Sequence, residues 1–346
     1  MKKLVIGVTG LNAIDSPGPG VAVIRAIRVG WDHDVKIIGL SYEALEPGLY
    51  MHDIVDKTYQ IPYPSGGTDA LLERLNYIND IEKLDLIIPN FDAELFNFIK
   101  LKDVLLKMGI RTFLPDLDQF QSRDKLKLFE FGEKYGFDVP EDKTLHEYRE
   151  LKTLDKEIEY PVVVKGKYYD AIIANNFDQA EKAFFKLQAK WGLPIILQEF
   201  IKGTEFNIAA LGDGKGNAIS IIPMRKLYIT DKGKAWAGIT VEDEKLVELA
   251  RKFVSVTKWR GGCELEVMLT SEGKPYIMEV NPRFPAWIYL TAGAGQNQPA
   301  SLVKMAMGEE VKPFETYEVG KMFIRYAWDL ITDIKEFQTI SGNGEL

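Results

Sequence analysis

The sequence predicts a parallel α/β fold at its N-terminal end, continuing into an α+β region, on three observations. Residues 1–115 alternate short apolar runs with helical patterns, the signature of strands buried on both faces by crossover helices. Further along, apolar runs are joined by turn sequences such as Gly212-Asp213-Gly214-Lys215-Gly216-Asn217, which specify hairpins. At 346 residues the chain is long enough for two or three domains with a large core.

Taken in order, strands are expected at 3–8, 35–40, 84–89 and 111–114, with helices at 21–29, 70–79 and 93–108 between them. The loop from Thr9 to Gly20 departs from the G-x-G-x-x-G spacing, and Pro17 and Pro19 remove donors that a pyrophosphate would want. It reads as a structural loop rather than a nicotinamide-binding turn. Ser122 is placed as the N-cap of a helix through Tyr135, followed by a second helix over 141–151. Strands are expected at 160–165, 171–174, 194–200, 205–211 and 218–224, and helices at 177–191 and 242–257. The stretch 230–238 reads as a flexible loop, and the tail 342–346 as loose.

Composition excludes several classes. Apolar content of 46% and charged content of 27% are those of a soluble globular protein. A net charge of -8 opposes a nucleic-acid groove, which needs a basic stripe. The single Cys263 rules out an intramolecular disulfide, and His33, His52 and His146 lack metal-ligand spacing. The apolar run 4–8 is too short for a signal peptide and turns into a Gly/Pro loop, so it is expected to be a buried first strand. No segment approaches the roughly 20 apolar residues of a membrane span. These features lead us to expect a cytoplasmic protein with no nucleic-acid or membrane partner.

The chemistry-bearing residues cluster late in the chain. Glu264-Leu265-Glu266 and Glu279-Val280-Asn281-Pro282-Arg283 lie on two strands joined by a turn at Ser271-Glu272-Gly273. Alternate residues of a strand share a face, so two acids, an amide and a guanidinium fall on one surface. Carboxylate and amide oxygens suit a hard divalent cation, and an adjacent arginine suits phosphate. The competing reading is a solvated hairpin face. Lys165 ends an apolar strand, where an ammonium needs an anionic partner, or snorkels from the sheet edge. Lys125 lies just inside a helix start, whose free donors favour a phosphate. Gln198-Glu199-Phe200-Ile201-Lys202-Gly203-Thr204-Glu205 breaks at Gly203 and restarts at an acid, offering backbone edges for a purine and a carboxylate for a ribose. Arg225 is placed to grip a γ-phosphate or a substrate carboxylate.

Together, Lys125, the 160–165 strand, the 198–205 segment and the Glu266…Glu279-x-Asn281-Pro282-Arg283 hairpin resemble the ATP-grasp enzymes in order and spacing, and most of all their carbamoyl-phosphate-synthase-like members. Asp56-Lys57-Thr58-Tyr59-Gln60-Ile61-Pro62-Tyr63-Pro64 and Ile87-Ile88-Pro89-Asn90-Phe91-Asp92-Ala93-Glu94 resemble their pre-ATP-grasp domain. The resemblance implies a Rossmann-like pre-ATP-grasp domain at 1–115, an ATP-grasp N-terminal lobe at 116–195 and a C-terminal lobe with tail at 196–346. It implies that Lys125 and Lys165 hold ATP phosphates, that Gln198 and Ile201 meet adenine mainly through backbone with Glu199 also at the cofactor, and that Glu205 meets the ribose. Glu266, Glu279 and Asn281 would ligate Mg2+ (or Mn2+), and Arg283, with Arg225, would act on the transferred phosphoryl group. The implied reaction activates a small-molecule or peptide carboxylate as an acyl phosphate, which an amine then attacks, in a homodimeric enzyme. The alternatives are a kinase-like or carbamate-forming enzyme and a non-catalytic ATP-binding module. Two departures stand out: the phosphate flap is replaced by Gly166-Lys167-Tyr168-Tyr169-Asp170-Ala171, and Phe284-Pro285-Ala286-Trp287 follows Arg283 where a glycine-rich turn is usual.

Overall fold

Five consecutive buried residues, Leu4–Val8, form strand β1. In the computed structural model, β1 runs parallel to β2 (Val35–Ser41), with Leu4 opposite Val35 and Val8 opposite Gly39. Strands β3 (Lys57–Gln60) and β4 (Leu86–Ile88) complete a parallel sheet of order β3-β2-β1-β4. The crossovers are α1 (Pro19–Gly30) and α2 (Gly67–Glu82), and α3 (Asp92–Lys107) follows β4. Alternation along β1 separates two cores. Leu4, Ile6 and Val8 pack with Val23, Ile24 and Ile27 of α1, whereas Val5 packs with Ile78 of α2 and Phe98 and Leu105 of α3. Burial on both faces explains why the strands read as unbroken apolar runs.

The structure describes residues 3–12, 17–31, 33–167, 170–230 and 233–346. Tyr168 and Tyr169 of the expected flap, like Asp231 and Lys232 of the expected loop, lie outside them. The chain divides into two compact units, Met1–Phe120 with Asn207–Leu265 and Asn281–Leu346, and Gln121–Phe206 with Glu266–Val280. The strand expected at 111–114 does not form. Arg111 makes a single bridge to Leu86, and the carbonyls of Thr112 and Leu114 accept from the Arg260 guanidinium at 3.2 and 3.1 Å instead of from a ladder.

The second unit is reached through α4 (Leu117–Ser122), so Ser122 ends a short helix rather than capping a long one. A 3-10 turn, Lys125–Lys127, is capped instead by Asp124, whose carboxylate accepts from Leu126 N at 3.0 Å. After it come α5 (Leu128–Tyr135), β5 (Asp142–Leu145) and α6 (Tyr148–Leu154). The expected helix over 141–151 is thus corrected to a strand and a helix, because residues 142–145 pair antiparallel with a later strand. Then follow β6 (Val162–Gly166), β7 (Ala171–Ala174), α7 (Phe177–Trp191) and β8 (Ile195–Glu199), giving a sheet of order β5-β8-β6-β7. Leu145, Val162, Val164, Ala174, Ile195 and Leu197 face a core shared with Ala183, Phe184 and Leu187 of α7. By alternation, Asp142, Val163, Lys165 and Gln198 occupy the other face.

The remaining strands are β9 (Thr204–Asp213), β10 (Ala218–Ile229), β11 (Ala235–Thr240), β12 (Arg260–Leu269), β13 (Pro275–Asn281) and β14 (Met322–Ile324). They follow the order β13-β12-β9-β10-β11-β14. Residues 235–238, expected in a loop, belong to β11, which pairs with β10 across a bulged register. Helix α8 (Glu244–Thr257) begins at Asp243, whose side chain caps Leu246 N at 3.2 Å. Helices α9 (Tyr289–Gly293), α10 (Gln298–Ala306) and α11 (Ile334–Asn343) complete the chain. The tail is not loose: Thr58 N donates to Leu346 O at 2.8 Å, Leu346 N to Thr58 O at 3.0 Å, and Gln60 N to Gly344 O at 2.8 Å. It satisfies the outer edge of β3, which the polar residues Lys57–Gln60 had not revealed as a strand. Among the described residues no helix is long and apolar enough to cross a membrane.

Candidate active site

In the second unit, the sheet face opposite the α7 core gathers charge. Lys165 stands on β6 opposite Ile196 of β8 and Ala171 of β7. Burial, and then the nearby Lys125, hold its ammonium below the ordinary lysine range, against the opposing pull of Glu279, Glu266 and Asp142. Lys125 Nζ lies 3.2 Å from Glu279 Oε1, each side chain about one-third exposed. Four of the expected residues, Lys125, Lys165, Glu266 and Glu279, therefore share one electrostatic neighbourhood. Two neighbouring ammonium groups facing two carboxylates suit a bound polyanion with its counter-ion.

Asp142, which the sequence reading did not single out, belongs to the same face. It stands opposite Gln198 in the β5–β8 ladder, and burial raises its carboxyl above the usual range, against the pull of Lys165 and then Lys143. Gln198 is only 3% exposed and lies in a strand paired on both sides. The Gln198 Oε1 and Asp142 Oδ2 atoms are buried without a hydrogen-bond partner among the described residues. Leaving buried oxygens unsatisfied costs about 1–3 kcal/mol each, a cost that a donor such as an exocyclic amine would relieve. Ile201 is buried just beyond β8, Glu199 is exposed, and Glu205 sits half-buried at the start of β9. Glu199 N donates to Glu141 O at 2.8 Å, fixing the strand end. Gly203 is required here: a Cβ on it would stand 2.4 Å from Leu269 O.

The first unit holds the other expected residues. Arg283 Nε donates to Asp92 Oδ2 at 2.8 Å and its Nη1 to Phe284 O at 3.2 Å, so the first residue of α3 orients the guanidinium. Glu264 is buried and accepts from Asn207 Nδ2 at 2.7 Å, Trp287 Nε1 at 2.7 Å and Asn281 Nδ2 at 3.1 Å. By taking the amide nitrogen of Asn281, it sets which way that amide's oxygen points. Trp287 thus has a polar anchor as well as a place in the core. Arg225 is exposed on β10, opposite Ile239. Arg325 had no signal in the sequence; burial pushes its guanidinium down to about 10, with Glu264 partly opposing.

Glu266 and Glu279 of the second unit offer carboxylate oxygens, the hard donor type that fits Mg2+, which keeps several waters besides its protein ligands. Among the described residues no three His, Cys, Asp or Glu side chains cluster for a metal ion.

The chain thus combines an α/β unit built on a parallel sheet with antiparallel sheets, one of which carries Lys165. Residues 122–286 match the ATP-grasp domain family, and this part of the chain is an ATP-grasp domain. A carbamoyl phosphate synthase large chain from Agathobacter rectalis is 24% identical over 285 residues, covering 75% of this chain and 25% of that protein. The chain therefore spans about a quarter of that relative's length. Among solved structures, the biotin carboxylase domain dimer of Hydrogenobacter thermophilus 2-oxoglutarate carboxylase, in complex with MgADP, ADP and bicarbonate, superposes with a TM-score of 0.69 at 18% identity, covering 90% of this chain and 71% of that one. An L-amino acid ligase from Bacillus licheniformis gives 0.66 at 19% identity, covering 90% and 78%.

Proposed function

We propose that this protein is an ATP-dependent ligase that activates a substrate carboxylate as an acyl phosphate and lets an amine displace the phosphate. The observation that carries the reading is the convergence of Lys165, Lys125, Glu266 and Glu279 in one electrostatic neighbourhood of the second unit. Lys165 and Lys125 hold the phosphates of ATP, and the ion pair of Lys125 with Glu279 yields when phosphate and cation arrive. Gln198 and Asp142 meet the adenine amine with their buried oxygens, Glu199 and Ile201 flank the ring, and Glu205 takes the ribose. Glu266, Glu279 and Asn281 would hold Mg2+, which would neutralise phosphate charge when bound. Arg283, kept in place by Asp92, stabilises the transferred phosphoryl group, and Arg225 grips the phosphoryl group or the substrate carboxylate. Positioning and charge neutralisation supply most of the catalysis in such a transfer.

A second reading keeps the site and changes the acceptor: the carboxylate is bicarbonate, and the product is a carboxylated or carbamoylated compound rather than an amide. The likeness to a carbamoyl phosphate synthase and to a biotin carboxylase domain complexed with bicarbonate favours it. Likeness to an L-amino acid ligase favours amide formation. Likeness to a dimeric domain supports a homodimer. An ADP-release screen over amino acids, short peptides, dicarboxylates and bicarbonate, with mass spectrometry of each hit, separates the readings. ADP release only with a carboxylate and an amine together supports the ligase. ADP release with bicarbonate alone supports the second reading, and no release on any panel points to a non-catalytic module.

A further inference from the structure

The first unit gathers three acids at the carboxyl ends of its parallel strands. Strand order reverses between β1 and β4, and open α/β sheets bind ligands in the crevice beyond such a reversal. Thr9 follows β1, Tyr42 follows β2, and Asn90 and Glu94 follow β4. Glu94 is 1% exposed and accepts from Thr9 Oγ1, Tyr42 Oη and the backbone N–H groups of Asn90 and Phe91. Glu46 is 5% exposed, and its Oε1 accepts from Tyr42 N at 2.7 Å and Glu43 N at 3.2 Å. Burial, with smaller additions from Glu43 and Glu94, lifts the Glu46 carboxyl to about 6, against the pull of those two donors. Among the described residues, every hydrogen-bond partner of the Glu43, Glu46 and Glu94 carboxylates is a backbone N–H or a hydroxyl. Buried charges are ordinarily paired, and these acids meet no cation there. Glu46 Oε2 and the Oδ1 of fully buried Asn90 have no hydrogen-bond partner among the described residues. Both are acceptors, so both call for a donor.

Three rings frame the same acids. Tyr42 stacks on Tyr63 with centroids 5.7 Å apart and tilts toward Phe91 at 6.0 Å. Tyr63, 53% exposed, reaches solvent, and its Oη donates to Glu43 Oε1 at 3.0 Å. Aromatic faces beside carboxylates suit an ammonium group, whereas an anionic ligand would meet three like charges. We propose that this cluster seats the ammonium group of an organic amine, with Glu46 Oε2 and Asn90 Oδ1 as its acceptors and Tyr63 at the entrance. Asp92, the neighbour of Phe91, holds Arg283 at 2.8 Å. The ligase reading, on which this last step alone rests, makes the seated molecule the amine substrate.

Isothermal titration of the full chain with n-propylammonium and putrescine, against n-butanol as the neutral control, tests it. Saturable millimolar binding of both amines and none of the alcohol is expected. Glu46→Gln keeps an oxygen for the Tyr42 and Glu43 N–H groups and removes the charge, so amine affinity is expected to fall about tenfold or more. Tyr63→Leu, at an exposed position, is expected to weaken it roughly threefold, with circular dichroism unchanged. No binding of either amine, equal binding of the alcohol, or unchanged affinity in Glu46→Gln would overturn the proposal, the acids then holding protons instead of a cation. Turnover separates this test from the ligase reading. Where ADP is released only with carboxylate and amine together, Glu46→Gln is expected to raise the KM for the amine about tenfold and leave that for Mg·ATP unchanged. An unchanged amine KM overturns the seat and spares the ligase; amine binding without any ADP release supports the seat and counts against the ligase.

Discussion

Lys165 sits where burial and a neighbouring lysine both work against its own charge, an arrangement that costs stability until an anion arrives. Replacing it with methionine is expected to raise the melting temperature of the unliganded protein at neutral pH, on the order of 2 °C. The same change is expected to abolish stabilisation by Mg·ATP. The folded-state pKa lies below the ordinary lysine value of about 10.4, so the unfolded chain binds the proton more tightly. The penalty is therefore fully present at neutral pH and fades as pH rises from the folded value toward the ordinary one. Melts of Lys165→Met and wild type are expected to differ most near pH 7 and to converge in alkali; a constant gap would count against burial as the cause. At Glu264, three buried donors share one carboxylate. Glu264→Gln turns one of these contacts into donor against donor, with an expected loss of about 2 kcal/mol in urea unfolding. It should also raise the Mg2+ concentration for half-maximal activity about tenfold, since ligand-orienting partners carry effects of that size. An unchanged Mg2+ requirement would detach Glu264 from the metal site.

At the scale of elements, two contacts hold segments that look independent in the sequence. Gly203 lets the start of β9 pass the carbonyl of Leu269, so Gly203→Ala is expected to cost about 1–3 kcal/mol; equal denaturant midpoints for variant and wild type would contradict that. Arg74 ties α2 to both Gln60 O at 2.8 Å and Gly344 O at 2.7 Å. Arg74→Ala is expected to speed amide exchange at Thr58, Gln60 and Leu346 while leaving β1 protected. Helix α7 was legible at its bounds because its apolar spacing is framed by a capping Asn176, whose side chain accepts from Gln179 N, and by Gly192. Residues 142–145 were misread because their partner β8 lies some fifty positions on, and local pattern cannot register such a pairing. The tail was misread for the same reason: its hydrogen bonds reach back to β3.

At the scale of the whole molecule, the pattern of motifs carried further than any single one. Lys125, Lys165, Glu266 and Glu279 were legible because their residue types and order match a known family, and within the second unit they share one electrostatic neighbourhood. Asp142 and Arg325 were not, because an ordinary acid and an ordinary arginine become noteworthy only once burial has shifted them. A ligand that binds only the folded chain stabilises it by about 2.7 kcal/mol at 100 times its dissociation constant, so saturating Mg·ATP is expected to raise the melting temperature by several degrees. The central claim, that the lysine–carboxylate face is an ATP site, is tested most directly by isothermal titration of Mg·ATP into wild type, Lys165→Ala and Glu279→Ala. The prediction is saturable one-site binding to wild type, weakened at least tenfold in both variants. No heat of binding to wild type, or equal affinity in all three, would contradict it.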